Sequence, residues 1–562
     1  MGYAHDYAAA IMRRGRVPMP PADFVPNWAD GPRKTKFYPG ADTVPLPGHT
    51  VPPGATVGRG LGPAHDGPER AFDLHTLSGM LRDSYGLTGR RLGVQANTDL
   101  DALPFHPLAN WSRGTASGGG LYPVSIYWVS GPSGPLPPGV HYYATRHHAM
   151  QRLLTGDVSG EVREALGVPV PAAPEDPAAP TVSDVPEDPA GPGASGDPED
   201  SAAGRAAGAD QFLVLGIKYW QNAFKYNSFS FHAVTMDVGT VVQTWRIWAR
   251  AQGLRVEPLM WFDERRLARL LGIRTEEEGV FAVVPLRWQG AEPRPAPPAG
   301  TAAVRRRDVE RSRTVLTFDA VTGMQRATEA HAARRPVAGA LAPAAAPVPD
   351  PRLPAVPLPA PLPLDADVRT ALRNRRSSFG RFDAGRPLSA GHLASCLAAA
   401  AAGSSLGGDT GTDTTPVAGL YAFVGHTEGI PPGTYAYDAA AHTLRLVKAG
   451  PPGTFLQKNY FLANYNLEQT GAVLVPTVRT RAVLDTVGDR GYRVVNAVVG
   501  AISQSVYTAA SALGVGCGVA LGFDNVSYTE ELGLERTGEA PLLIMMLGNE
   551  RPAPADFRHE IA

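Results

Sequence analysis

Two stretches of the chain, 233–252 and 497–513, are apolar for longer than a strand can use, and each predicts a long buried helix. Shorter apolar runs with strand character occur at 124–129 and 421–424, each just after a Gly-Leu-Tyr, and again at 280–286 and 542–547. Amphipathic helices are expected at 74–85 and 366–376, and a hairpin is expected over each Pro-Pro-Gly. A glycine-rich strand and a short helix should follow each long helix. The pattern predicts an α+β fold with helices packed on mostly antiparallel sheet. The most apolar stretch, 494–523, is broken by Asn496, Ser503, Gln504 and several glycines. It reads as a core helix running into a strand, not as a membrane span.

These elements occur twice in the same order. At an offset of 261, Gly239 aligns with Gly500, Gln243 with Gln504, Phe262-Asp263 with Phe523-Asp524, and Leu271-Gly272 with Leu532-Gly533. Upstream, Gly120-Leu121-Tyr122 matches Gly419-Leu420-Tyr421, and Pro137-Pro138-Gly139 matches Pro431-Pro432-Gly433. In both copies a histidine, His148 or His442, follows the last tyrosine of the hairpin by five residues. The expected organisation is an N-terminal extension (1–64), a first domain (65–290), a Pro/Ala-rich linker region (291–365) and a second domain (366–552). Two such copies should pack as a pseudo-dimer.

Composition adjusts this picture in two places. The segment 168–210 is rich in Pro, Ala, Gly and Asp, lacks aromatic residues, and should be a disordered insertion in the first copy. The segment 334–364 should be an extended polyproline linker. The net charge of −1 supplies no global field for nucleic acid or anionic membrane. Two cysteines, Cys396 and Cys517, cannot make a disulfide framework or a multi-thiolate metal site, which fits a reducing cytoplasm. Residues 1–15 lack the long apolar run of a signal peptide. No metal site is expected: His147-His148 has no spaced carboxylate or thiol partner. The glycines at 58, 60 and 62 lack the preceding strand of a dinucleotide fingerprint.

Three motifs carry candidate chemistry. Copy two opens with Arg373-Asn374-Arg375-Arg376-Ser377-Ser378, guanidinium and hydroxyl groups at a helix end that suit a phosphate but also suit a solvated cap. Copy one carries Arg113-Gly114-Thr115-Ala116-Ser117-Gly118-Gly119-Gly120, whose glycines let backbone approach a flat ligand or simply make a turn. Copy one also carries Lys225-Tyr226, where an ammonium group beside a phenol can favour the phenolate and make a proton acceptor. Composition alone favours an inert strand-edge Lys-Tyr pair.

Taken in order, these motifs resemble the FMN-dependent nitroreductase superfamily, in particular its tandem-domain branch related to SagB-type and cyanobactin-type azoline dehydrogenases. The resemblance spans both copies and implies an FMN-dependent oxidoreductase that oxidises thiazoline or oxazoline rings to azoles in ribosomal peptide natural products. It implies Lys225 and Tyr226 as catalytic residues, because Lys225 lies fourteen residues before Gly239 whereas the competing Lys218-Tyr219 lies further upstream. Asn227 and Gly239-Thr240 depart from the commonest family pattern and bear on substrate scope.

The two copies divide the flavin-binding motifs between them. Copy two has Arg375, Arg376 and Ser377 for the phosphate and Gly522 for the flavin edge, but no Ser-Gly-Gly. Copy one has Arg113, Ser117, Gly118 and Gly119, but no Arg-Arg-Ser, and it places Trp261 opposite Gly522. One FMN site per chain is therefore expected. The substrate would be a modified peptide or a small molecule, with a leader-binding or cyclodehydratase partner where a peptide must be presented. The chain would act as a monomer or homodimer. Oxidation of another natural-product intermediate, or a flavin-free binding scaffold, stays open as an alternative.

Overall fold

The computed structural model describes residues 2–63, 67–92, 109–168, 202–291, 302–552 and 558–561. Two antiparallel sheets flank a central pair of long helices, Ser230–Ala251 and Gly491–Ala512. Each helix has 22 residues and is buried almost all round, as their uninterrupted apolar patterns require. They cross at the equivalent glycines. A Cβ on Gly239 would lie 1.9 Å from the Ala497 carbonyl oxygen, and one on Gly500 would lie 2.0 Å from that of Met236. Met236 and Ala497 are themselves equivalent at the offset of 261, so the contact is isologous, as across a dimer dyad.

The first sheet runs Thr43–Pro45, Ala149–Thr155, Gly139–Ala144, Val124–Ser130, Gln211–Lys218, Glu278–Leu286. The second repeats that order as Ala355–Pro357, Thr443–Ala449, Gly433–Asp438, Ala418–Val424, Ala472–Val478, Ile544–Gly548, and adds Gly516–Ala520 beyond it. Local geometry repeats as well. Tyr143 and Tyr437 each bond their own histidine, His148 or His442, through Oη and Nδ1 at 2.8 Å. Asp263 and Asp524 each cap a short helix, and Gly272 and Gly533 close those helices in the left-handed region.

Several expectations need correction. The presumed extension and linker each supply an outer strand, Thr43–Pro45 and Ala355–Pro357, which run into Val44-Pro45-Leu46-Pro47 and Val356-Pro357-Leu358-Pro359. The repeat therefore reaches beyond the expected boundaries, and proline at the outer strand matches its lack of an N–H. Upstream of the segment expected to be extended, the linker region also carries a helix. Its helix Asp319–Ala330 places Gln325 and Thr328 against Arg493 at 2.8 and 2.9 Å. Of the presumed disordered insertion, 169–201 lies outside the described residues. Residues 202–210 are ordered, with a helix Ala202–Ala207 whose Arg205 forms a bidentate pair with Glu69. Copy one forms no counterpart of the glycine-rich strand Gly516–Ala520. Pro258 stands there without an N–H, and only a single bridge, Leu259 to Val283, remains.

Candidate active site

The helix Trp220–Tyr226 ends with Lys225 and Tyr226, and Asn227 then turns the chain at φ 41° into the first long helix. Asparagine tolerates this left-handed position better than most residues. The N-terminal segment fastens the loop: the Pro20 carbonyl accepts from Ser228 Oγ, and the Pro21 carbonyl from Asn227 Nδ2 at 3.3 Å. Lys225 Nζ sits 4.7 Å from the centre of the Tyr226 ring. The competing pair is structural. Lys218 is held by Asp308 and Glu310 at 2.5 Å each, and the buried Tyr219 donates to Gln325.

The glycine turn lies against this pair. Gly119 has φ 63°, and a Cβ there would fall 2.3 Å from Tyr226 Oη and 3.0 Å from Lys225 Nζ. Asp237, on the first long helix, holds the turn by accepting from Ser117 Oγ at 2.6 Å and Gly118 N at 2.9 Å. Burial raises the Asp237 carboxyl to about 7, against the opposing pull of those two hydrogen bonds. Copy two reaches the same turn through Gln504 Oε1, which accepts from Ala116 N at 2.9 Å.

The arginine loop of copy two follows the helix Val368–Asn374 and meets the turn from the other side. Arg375 donates to the carbonyls of Gly114 and Arg113 at 2.8 and 3.0 Å, so it staples the copies together. Arg113 donates to the Tyr85 carbonyl between the rings of Tyr85 and Tyr122. Arg376 pairs with Glu550 at 2.5 Å, and Ser377 Oγ lies 2.8 Å from Tyr507 Oη. Two of the five N–H donors of Arg375 thus go to backbone carbonyls, a stapling contact the sequence did not predict.

All ten expected site residues, Lys225, Tyr226, Arg113, Ser117, Gly118, Gly119, Arg375, Arg376, Ser377 and Gly522, line one cavity of about 1980 Å³ at the seam between the copies. Among the described residues, its wall carries nine basic side chains and one carboxyl, Asp237, in a chain whose net charge is −1. Aromatic rings, including Tyr460, Tyr465 and Tyr507, complete it. Sequence reasoning missed Asp237, although it stands two residues before Gly239. It also missed Arg14 and Lys34, which reach the cavity from the N-terminal segment. Arg14 donates to the Leu521 carbonyl and, at 2.6 Å, to Asn525 Oδ1, beside Gly522.

The equivalent position across the dyad is filled. Arg246 stands where Tyr507 would, and it donates to the Ser405 carbonyl. Trp261, opposite Gly522, is buried, and Asp409 accepts from the backbone N–H groups of Met260 and Trp261 at 2.7 and 3.2 Å. A loop of copy two thus occupies the space, with Gly408 packed on the Pro258 carbonyl.

Residues 372–549 match the Nitroreductase family model, so copy two carries a nitroreductase-family domain. The whole chain has the nitroreductase fold. It superposes on a crystal structure of an assigned nitroreductase from Anabaena variabilis with TM-score 0.68, at 19% identity, covering 98% of this chain and 100% of that one. Partial superpositions, both with TM-score 0.27 and 20% identity, also occur. One is with an assigned nitroreductase from Ralstonia eutropha, covering 37% of this chain and 95% of that one. The other is with the E. coli microcin synthetase complex McbBCD with truncated pro-MccB17 bound, covering 32% and 70%. No curated protein sequence matches the chain. The fold is that of an oxidoreductase family. Among the described residues, no helix is long and apolar enough to cross a membrane.

Proposed function

We propose that the chain is an FMN-dependent dehydrogenase or oxidase that converts azoline rings, thiazolines or oxazolines, to azoles in a ribosomal peptide natural product. The observation that carries this is the placement of Lys225 and Tyr226 against the glycine turn of a basic, aromatic seam cavity. The donor set suits FMN. Arg376 and Ser377 would hold the phosphate, and Arg113 with the Ser117–Gly119 backbone and Gly522 would border the ring system. The exposed face of Gly118, where a Cβ would meet nothing closer than 3.8 Å, leaves room for close approach. When bound, FMN supplies a two-electron acceptor.

The protein's own part is placement and proton transfer. An azoline becomes an azole by losing one ring proton and one hydride. Tyr226 Oη, starting as the phenolate, accepts the ring proton and becomes a phenol, and the Lys225 ammonium group stands 4.7 Å from the ring centre. Asp237 fixes the turn that faces the phenol. The cavity exceeds the roughly 300–1,000 Å³ of an ordinary ligand pocket, which suits a cofactor together with a peptide segment.

The test is Tyr226→Phe, assayed on a thiazoline-containing peptide. Flavin content should be retained while turnover falls by about 10²–10⁴. Retained turnover removes Tyr226 from the chemistry, and a purified chain that takes up no FMN rejects the proposal as a whole.

A further inference from the structure

We propose that the copy-one rim of the cavity, built by Lys34, Arg146 and Lys225, is a second anion subsite that takes a carboxylate of an acidic peptide substrate. This rests on the function proposed above and names the class of its substrate.

The three cations arrive from three separate segments. Lys34 comes from the N-terminal segment, Arg146 from the turn after Gly139–Ala144, and Lys225 from the end of Trp220–Tyr226. All three face the same cavity. Cations elsewhere on the wall are answered by the protein itself: Arg376 by Glu550, Arg375 by two carbonyls, Arg14 by Leu521 and Asn525. At the copy-one rim, among the described residues, no carboxylate lies within ion-pair distance of Lys34, Arg146 or Lys225. Lys225 Nζ lies 5.9 and 4.7 Å from the ring centres of Trp28 and Tyr226. The group is repulsive within itself. Partial burial, with Arg113, Lys225 and Arg146 nearby, holds the Lys34 ammonium group below its ordinary value. Gathering like charges costs stability unless an anion joins them.

The wider cavity wall also suits an amphipathic ligand. Trp111 and Phe461 line the cavity and remain 46% and 47% exposed, and Leu462 is 53% exposed. Large apolar side chains left in water on the wall of a cavity that also carries these cations fit a peptide with both apolar and acidic residues. Arg146 can hold a carboxylate through two parallel N–H donors with the lysines as added point charges, whereas Arg376 and Ser377 combine guanidinium and hydroxyl donors on the opposite wall.

Fluorescence anisotropy with the full chain tests this, using a fluorescein-labelled glutamate-rich peptide and its glutamine counterpart at low salt. The glutamate peptide should bind about tenfold more tightly. Lys34→Glu combined with Arg146→Glu should abolish that preference while leaving glutamine-peptide affinity in place, with thermal melting confirming the fold. Excess free glutamate should compete poorly, because it lacks the apolar contacts; full competition at equal concentration would mean a site for small acids rather than peptides and overturns the proposal. Equal affinity for the two peptides, or a preference that survives the double variant, also overturns it. Binding is read without turnover, so a glutamate preference without azoline oxidation would retain the subsite and reject only the reaction.

Discussion

The contact between Gly119 and Tyr226 offers a direct test of how the turn places the phenol. An alanine at 119 would put its Cβ 2.3 Å from Tyr226 Oη, whereas ordinary contact begins at 3.4 Å. The hydroxyl must therefore retreat by about 1 Å, a misplacement that costs about 100-fold in turnover. The backbone contributes separately, since φ 63° costs an alanine about 1–2 kcal/mol. Gly120 separates the two effects. It has φ 65° and nothing within 4 Å of its would-be Cβ, so Gly120→Ala should lose similar stability without moving Tyr226. Steady-state turnover and chemical denaturation of both variants read the two terms. If Gly119→Ala and Gly120→Ala lose turnover equally, or neither does, the turn does not position the phenol.

Three further outcomes follow from the same geometry. Gly239→Ala should destabilise the chain by about 3 kcal/mol or more in urea titration, because its Cβ would meet a helix backbone at 1.9 Å and the helices must part. The Asp237 carboxyl is raised from 3.8 to about 7, so the stability tied to its protonated form is full below about pH 4 and is lost as pH rises through about 7. Asp237→Asn should flatten that slope, by up to about 4 kcal/mol, in denaturation curves compared across this range. Flavin titration should give one FMN per chain, since Trp261, Arg246 and Asp409 fill the opposite position; two per chain would contradict that assignment.

Much of the fold was legible because the repeat doubles every signal. Gly239 and Gly500, Asp263 and Asp524, and Gly272 and Gly533 each mark a backbone constraint met twice, and such constraints restrict residue type locally. The outer strands were missed although Val-Pro-Leu-Pro occurs in both copies, because three residues with prolines resemble a linker until a neighbouring strand pairs with them. The helix Asp319–Ala330 was hidden by its Pro/Ala-rich surroundings, and its buried face shows only against Arg493. Asp237 could not be distinguished as a turn-holding group until the helix brought it to Ser117.

The sequence by itself determined the duplication, the α+β class, the central helix pair and the division of motifs between the copies, all of which rest on periodicity and residue type. Only the tertiary structure decided that Arg375 serves as a staple, that the second site is filled, and that the N-terminal segment walls the cavity. Those facts depend on contacts between residues far apart in the chain, such as Arg375 with Gly114 and Asp409 with Trp261. No local pattern specifies which partner a buried guanidinium or carboxylate will meet, because that choice is made when the two halves close on one another.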